Sequence, residues 1–168
     1  MGKLGEEEES LGFTYDVFIS FRGEDIRHNF IAHLRREFGR KGIKDFRDDS
    51  NMRIGESLSP PLSKAIEESK ILIVAFSENY ASSTWCLDEL VRIIERSKMK
   101  EKKQLVFPVF YHVDPSDIRH QRNSFEKHMK AQENKIGKES QRMQAWRSAL
   151  SEAVDFPGKH IKPRYDDS

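Results

Sequence analysis

The chain has 168 residues, a size that suits one domain with a core of several strands and helices. Its composition is 36% hydrophobic and 34% charged, with a mean hydropathy of −0.75, and no apolar run approaches the roughly 20 residues of a membrane span. The formal charge is +1, from 29 basic and 28 acidic residues, too mild a balance for a dedicated nucleic-acid binder.

Residues 1–13 contain a glutamate run at 6–9 and few apolar groups, which reads as a flexible acidic tail. The opening MGKLGEEEES has neither the apolar stretch of a secretory signal nor the basic character of a transit peptide, and a single cysteine makes no internal disulfide. A reducing, intracellular location is therefore expected. The domain itself is placed at 14–162, with 163–168 as a C-terminal tail or linker stub.

YDVFISF at 15–21 is rich in β-branched and aromatic residues, as expected for a buried strand, and it ends at Arg22-Gly23. Phe30, Ile31, Leu34 and Phe38 then recur at helical spacing, with Gly39 and Gly42 as stop signals. GIKDFRDD at 42–49 offers a short strand over 43–46. The polar loop SNMRIGES follows, then a helix carrying Leu58, Leu62, Ala65 and Ile66, with Ser59 as its cap ahead of Pro60. KILIVAFS at 70–77 is continuously apolar and so reads as a strand buried on both faces. A helix runs from the STW sequence to about Arg96. LVFPVFYHV at 105–113 is another buried strand, in which Pro108 should mark a bulge or an unpaired position. DPSDIRHQ reads as a turn. Phe125 and Met129 suggest a short helix, Met143, Trp146, Leu150 and Ala153 a final one, and a last strand is weakly signalled at 159–161.

Alternating strands and helices imply a parallel sheet covered on both faces, whose ligands sit beyond the carboxyl ends of the strands. That rim would hold Arg22-Gly23, Asp48-Asp49, residues 77–79 and residues 112–114. The chain lacks a phosphate-binding P-loop, a dinucleotide fingerprint and a nucleophile elbow. No two histidines share a helical turn and no second cysteine exists, so no metal site is expected. Asp48-Asp49 is shaped like part of a phospho-accepting receiver site, but the acceptor position after the third strand reads Ala75-Phe76-Ser77. Cys86 has no histidine beside it in sequence and reads as a buried, inert thiol.

On the helix after STW, steps of about 100° put Leu87, Leu90, Val91 and Ile94 on the core face. Glu89 falls at a boundary position near Trp85, and Asp88 points further towards water. Spacing alone favours an ordinary role for Glu89, such as a pair with Arg92 or a favourable place in the helix dipole.

The motifs YDVFISFRGEDIR, GIKDFRDD, GESLSPPLSKAIEESKILIVAFSENYASSTWCLDEL and FPVFYHVDPSDIRHQ, in this order, resemble the Toll/interleukin-1 receptor (TIR) domain found at the N-terminus of plant nucleotide-binding, leucine-rich-repeat immune receptors. The resemblance implies an α/β, flavodoxin-like three-layer fold with a five-stranded parallel sheet in the order 2-1-3-4-5. It also implies cleavage of NAD⁺ (or NADP⁺) at the nicotinamide–ribose bond, with the dinucleotide as substrate and no tightly bound cofactor. The glutamate of W-C-L-x-E-L, here Glu89, would be catalytic. Phe21, Arg22, Gly23, Arg27, Arg53 and Trp85 would line the substrate.

Homotypic self-association would run through the first and last helices, at positions matching Ala32, His33 and Trp146, where Ala32 replaces the family's usual serine. Ile26 stands where threonine is usual, and FPGKHI lacks the aromatic that commonly follows its glycine. Helical spacing makes core packing an equal reading for Trp146. The receptor's further modules would lie beyond this chain, no membrane contact is expected, and the setting would be the cytoplasm or nucleus. A non-catalytic homotypic adaptor, which needs the same fold but not Glu89, is the alternative. Nucleotidyl chemistry on RNA or DNA, a third reading, draws little support from the near-neutral charge.

Overall fold

The computed structural model describes residues 12–47 and 58–163. The acidic stretch 1–11, Asp48-Asp49, the whole polar loop 50–57 with Arg53, and the C-terminal residues 164–168 lie outside the described residues.

Strands β1 (Tyr15–Phe21), β2 (Ser69–Phe76), β3 (Leu105–Tyr111) and β4 (Lys159–Ile161) form one parallel sheet in that order. Their period-two alternation divides two apolar layers. Val17, Ile19 and Phe21 of β1, Ile73 and Ala75 of β2 and Val109 of β3 face one layer, which Ile26 and Ile31 complete. Phe18 of β1, Leu72, Val74 and Phe76 of β2 and Val106 and Phe110 of β3 face the other, larger layer. Ser20 falls on this second face by the same alternation and is fully buried there.

The first layer is covered by a helical run in three parts: α1 (Gly23–Ile26), a π-helical turn (Arg27–Ile31) and α2 (Ala32–Lys41). Gly42, at φ 71°, ends it in the left-handed conformation that glycine adopts without steric cost. The second layer is covered by α3 (Pro60–Glu67), α4 (Thr84–Ser97), α5 (Pro115–Arg119), α6 (Ser124–Ile136) and α7 (Gln141–Ala153). Ser59 caps α3 as expected, accepting the Leu62 amide at 3.4 Å, and Ser83 caps α4 by accepting the Cys86 amide at 3.2 Å.

Three expectations are refined. The second of five strands is reduced among the described residues to a single bridge, Asp45 beside Val17, on the outer side of β1. This is the position that the order 2-1-3-4-5 assigns it. Backbone bonds join it to β1, from the Asp16 and Val17 amides to the Lys44 carbonyl and from the Phe46 amide to the Val17 carbonyl, while the Lys44 amide donates to the Asp16 carboxylate at 2.7 Å and Arg35 donates to the Asp45 carboxylate at 3.1 Å. Of the two readings of Pro108, the bulge is absent, since it stays in register with Val74, and the unpaired position holds on the other side, where β4 begins pairing only at Val109. The turn at DPSDIRHQ is instead α5, because Asp114 caps it by accepting the Ser116 amide at 2.9 Å and Pro115 fits its first position.

Candidate functional site

A cleft of about 770 Å³ opens beyond the carboxyl ends of β1 and β2. The chain exits of these strands build it: Phe21, Arg22 and Gly23 after β1, and residues 82–86 after β2. Arg27 from the π turn, Gln132, Lys135 and Ile136 from α6, and Arg142 from α7 close the remaining walls. Five of the expected substrate residues, Phe21, Arg22, Gly23, Arg27 and Trp85, are thus brought together on one cleft.

Local geometry explains their placement. The Arg22 guanidinium donates from Nε to Ser82 Oγ at 2.7 Å and from Nη1 to Glu24 at 2.9 Å, which ties it to two other lining residues of the cleft. Arg27 lies 5.0 Å over the Phe21 ring, and Arg35 stacks on that ring at 5.2 Å. Burial lowers the Arg35 pKa, opposed by Asp45. Gly23 carries this packing, since a Cβ there would sit 2.6 Å from Arg27 Nη2. The α1 start is tied to the loop after β2 by Asp25, which accepts from Ser77 Oγ at 2.6 Å and from the Asn79 amide at 3.0 Å. His128 of α6 reaches Asn79 Oδ1 at 2.9 Å. Desolvation, then Lys127 and Arg22, lower the His128 pKa.

Glu89 does not lie at a boundary. It is 0% exposed, one turn behind the cleft residues Trp85 and Cys86, and does not itself line the cleft. Ser20 Oγ donates to its Oε1 at 2.8 Å. The expected pair with Arg92 does not form in these contacts, as Arg92 reaches Glu95 at 3.4 Å and Glu67 at 3.8 Å. Behind Ser20, Tyr80 Oη stands 2.8 Å from Ser20 Oγ and donates to the Cys86 carbonyl at 3.0 Å. Cys86 is 1% exposed, in keeping with an inert thiol.

Asp88 departs from expectation, and of the two readings of Trp146 the structure matches core packing. Asp88 faces inward to α7, accepting two bonds from Arg142, at 3.2 and 2.6 Å, and one from the indole N–H of Trp146 at 3.0 Å. Trp146 is 0% exposed and has no surface to offer a partner, so its place is core packing and not a self-association face. Ala32 is half-buried and His33 exposed on the outer side of α2. The sequence reading missed Gln132, Lys135 and Arg142, which reach the cleft from helices far along the chain. With Arg22 and Arg27, the last two give the cleft, among the described residues, four basic residues against one acid, Glu24, a lining suited to an anionic ligand with a planar ring for Phe21 or Trp85. Among the described residues no cluster of histidine, cysteine or carboxylate could hold a metal ion, and no helix is long and apolar enough to cross a membrane.

The TIR domain family model matches residues 14–168. Disease resistance protein RPV1 of Vitis rotundifolia is 51% identical over 148 residues, covering 88% of this chain and 10% of the relative. TMV resistance protein N of Nicotiana glutinosa is 46% identical over 155 residues, covering 92% of this chain and 13% of the relative. This chain therefore spans little more than a tenth of the length of such relatives. Among solved structures, the TIR domains of the activated Roq1 resistosome directly recognizing the pathogen effector XopQ superpose with a TM-score of 0.81 at 42% identity, covering 92% of both chains.

Proposed function

As the chain belongs to the TIR domain family, we propose that it is the self-associating signalling domain of a plant disease-resistance receptor and that it hydrolyses NAD⁺ at the nicotinamide–ribose bond. The observation that carries this reading is the basic, aromatic-walled cleft lying one helical turn from the buried carboxylate of Glu89.

The chemistry suits a single carboxylate. Glycosidases with neutral leaving-group oxygens need an acid as well as a second carboxylate. Nicotinamide in NAD⁺ is already cationic at the ring nitrogen. When the C1′–N bond breaks, the electron pair stays with that nitrogen, nicotinamide departs neutral, and positive charge develops on the ribose. Glu89 offsets that charge. Water then adds its oxygen to C1′ and loses a proton, giving ADP-ribose, or a hydroxyl of the same molecule adds its oxygen there and likewise loses its proton, giving a cyclic product. Arg22, Arg27 and Lys135 would meet the phosphates, and Trp85 or Phe21 a planar base. Arg53 is proposed to join them on the strength of the family resemblance.

Glu89 is covered in this structure, so the reading requires the cleft floor to open before the sugar reaches it. Assembly with neighbouring copies is the proposed trigger, in keeping with the resistosome in which the similar Roq1 domains are found. Ala32 and His33 remain the proposed contact positions on the first helical run, and a cytoplasmic setting is proposed with them. The burial of Glu89 favours a second reading, a non-catalytic homotypic adaptor. Nicotinamide release from NAD⁺ by the concentrated domain separates the two. Release by wild type and its loss in Glu89→Ala support the enzyme; equal release by both, or none by either, leaves the adaptor.

A further inference from the structure

Behind Glu89 lies a line of oxygen atoms that the proposed reaction has not yet used. Ser20 Oγ is 2.8 Å from Glu89 Oε1 and 2.8 Å from Tyr80 Oη, and Tyr80 Oη is 3.0 Å from the Cys86 carbonyl oxygen. Ser20, Tyr80 and Glu89 are each 0% exposed, and Ser20 and Tyr80 do not line the cleft. Ser20 is also the polar member of a face otherwise made by Phe18, Leu72, Val74, Phe76 and Phe110.

Counting hydrogens gives this line its meaning. Each hydroxyl owns one hydrogen and a backbone carbonyl owns none. With Glu89 ionised, only Ser20 can supply the hydrogen between itself and the carboxylate. The single Tyr80 hydrogen must then choose between Ser20 Oγ and the Cys86 carbonyl. With a proton on Glu89 Oε1, all three contacts are satisfied in one direction, Glu89 to Ser20 to Tyr80 to Cys86. The two hydroxyls can therefore meet either charge state of the carboxyl by rotating, without moving a heavy atom. A buried carboxylate with such a donor is held in both orientation and charge at little reorganisation cost.

We infer that Ser20 and Tyr80 are positioning residues for Glu89: Ser20 is the donor that orients and stabilises its carboxylate, and Tyr80 is the adjustable second link. This rests on the proposed NAD⁺ cleavage for its kinetic consequence, but the contact itself does not. Neither hydroxyl meets the cleft, so removing one acts on the reacting step and not on substrate binding.

The test is steady-state nicotinamide release by concentrated wild type, Ser20→Ala, Ser20→Thr and Tyr80→Phe, with isotope-edited infrared spectra of the carboxyl groups. A ¹³C-glutamate-labelled sample minus Glu89→Gln isolates the Glu89 band. Ser20→Ala should lower kcat by about 10- to 100-fold, the worth of a hydrogen bond to a charged group, with KM held within about threefold. Ser20→Thr, which keeps the hydroxyl, should recover most of that loss, Tyr80→Phe should lose less than Ser20→Ala, and the Glu89 band should move in Ser20→Ala. An unmoved band, an unchanged kcat, or a loss that threonine fails to rescue would overturn the inference. If wild type releases no nicotinamide, the enzymatic reading is what fails, and the band shift still decides whether Ser20 sets the state of the carboxyl.

Discussion

Replacing Trp146 by phenylalanine removes an indole N–H from Asp88 and leaves a smaller ring in a fully buried site. The lost bond, 3.0 Å long, goes to a carboxylate whose side chain is 14% exposed. A hydrogen bond to a charged group contributes about 1.5–3 kcal/mol, and the space left by the lost ring adds about 1 kcal/mol. Arg142 stacks 5.0 Å over the Trp146 ring and keeps its two bonds to Asp88, so part of the arrangement survives. The expected destabilisation is roughly 2–4 kcal/mol, or about 5–12 °C in Tm for a domain of this size. Urea unfolding followed by the fluorescence of the remaining Trp85 measures it, and the midpoint should fall at constant slope. Combining the change with Asp88→Ala should be less than additive by about 1 kcal/mol or more, because both remove the same contact. A loss under about 0.5 kcal/mol, accompanied by weaker self-association in sedimentation, would return Trp146 to the surface role that its family position implies.

Other substitutions probe separate features. In Gly158→Ala the new Cβ would stand 2.1 Å from the Pro108 carbonyl oxygen, a backbone atom that cannot swing away. The variant should lose about 1–3 kcal/mol, with faster hydrogen exchange at the His112 amide, which bonds Ile161 across β3 and β4 at 2.9 Å. Gly23→Ala meets only the flexible end of Arg27, so stability should change by less than about 0.5 kcal/mol. Displacing Arg27 should instead raise KM for NAD⁺ by about 3- to 10-fold at unchanged kcat. His128 has a folded pKa below its unfolded value of about 6.5, so the unfolded chain binds the proton first as pH drops. Stability should hold above about pH 6.5 and decline as pH falls through the lowered folded pKa, a step in Tm that His128→Gln should remove.

Periodicity alone showed much of this architecture. The continuous apolar run of β2 and the mixed branched and aromatic β1 announce a sheet buried on both faces, and Ser59 with Pro60 marks a helix start from two residues. The second strand is short but lies where the order predicts: Lys44 and Phe46 bond to the β1 backbone at Asp16 and Val17, while the Lys44 amide goes to the Asp16 carboxylate. Helical spacing placed Leu87 and Leu90 inward but could not see that β1 offers Ser20 at the level of Glu89, a contact 69 residues apart that buries an acid. Spacing offered core packing for Trp146 but could not show its polar partner Asp88, 58 positions away. Arg22, Gly23 and Trp85 were legible because they follow strand ends or open a helix at the expected rim. Lys135 and Arg142 were not, since a lone cation on an amphipathic helix looks like any solvated residue until the fold aims it at a cleft.

The central claim is that Glu89 serves bond cleavage at a sugar whose base leaves from the adjoining cleft. Its most direct test is nicotinamide formation from NAD⁺ by wild type and Glu89→Gln across a series of protein concentrations. Wild type should show specific activity that rises with concentration, as assembly opens the covered carboxylate, and the variant, which keeps the shape but not the charge, should show none at any concentration. Equal rates for the two proteins would contradict the claim.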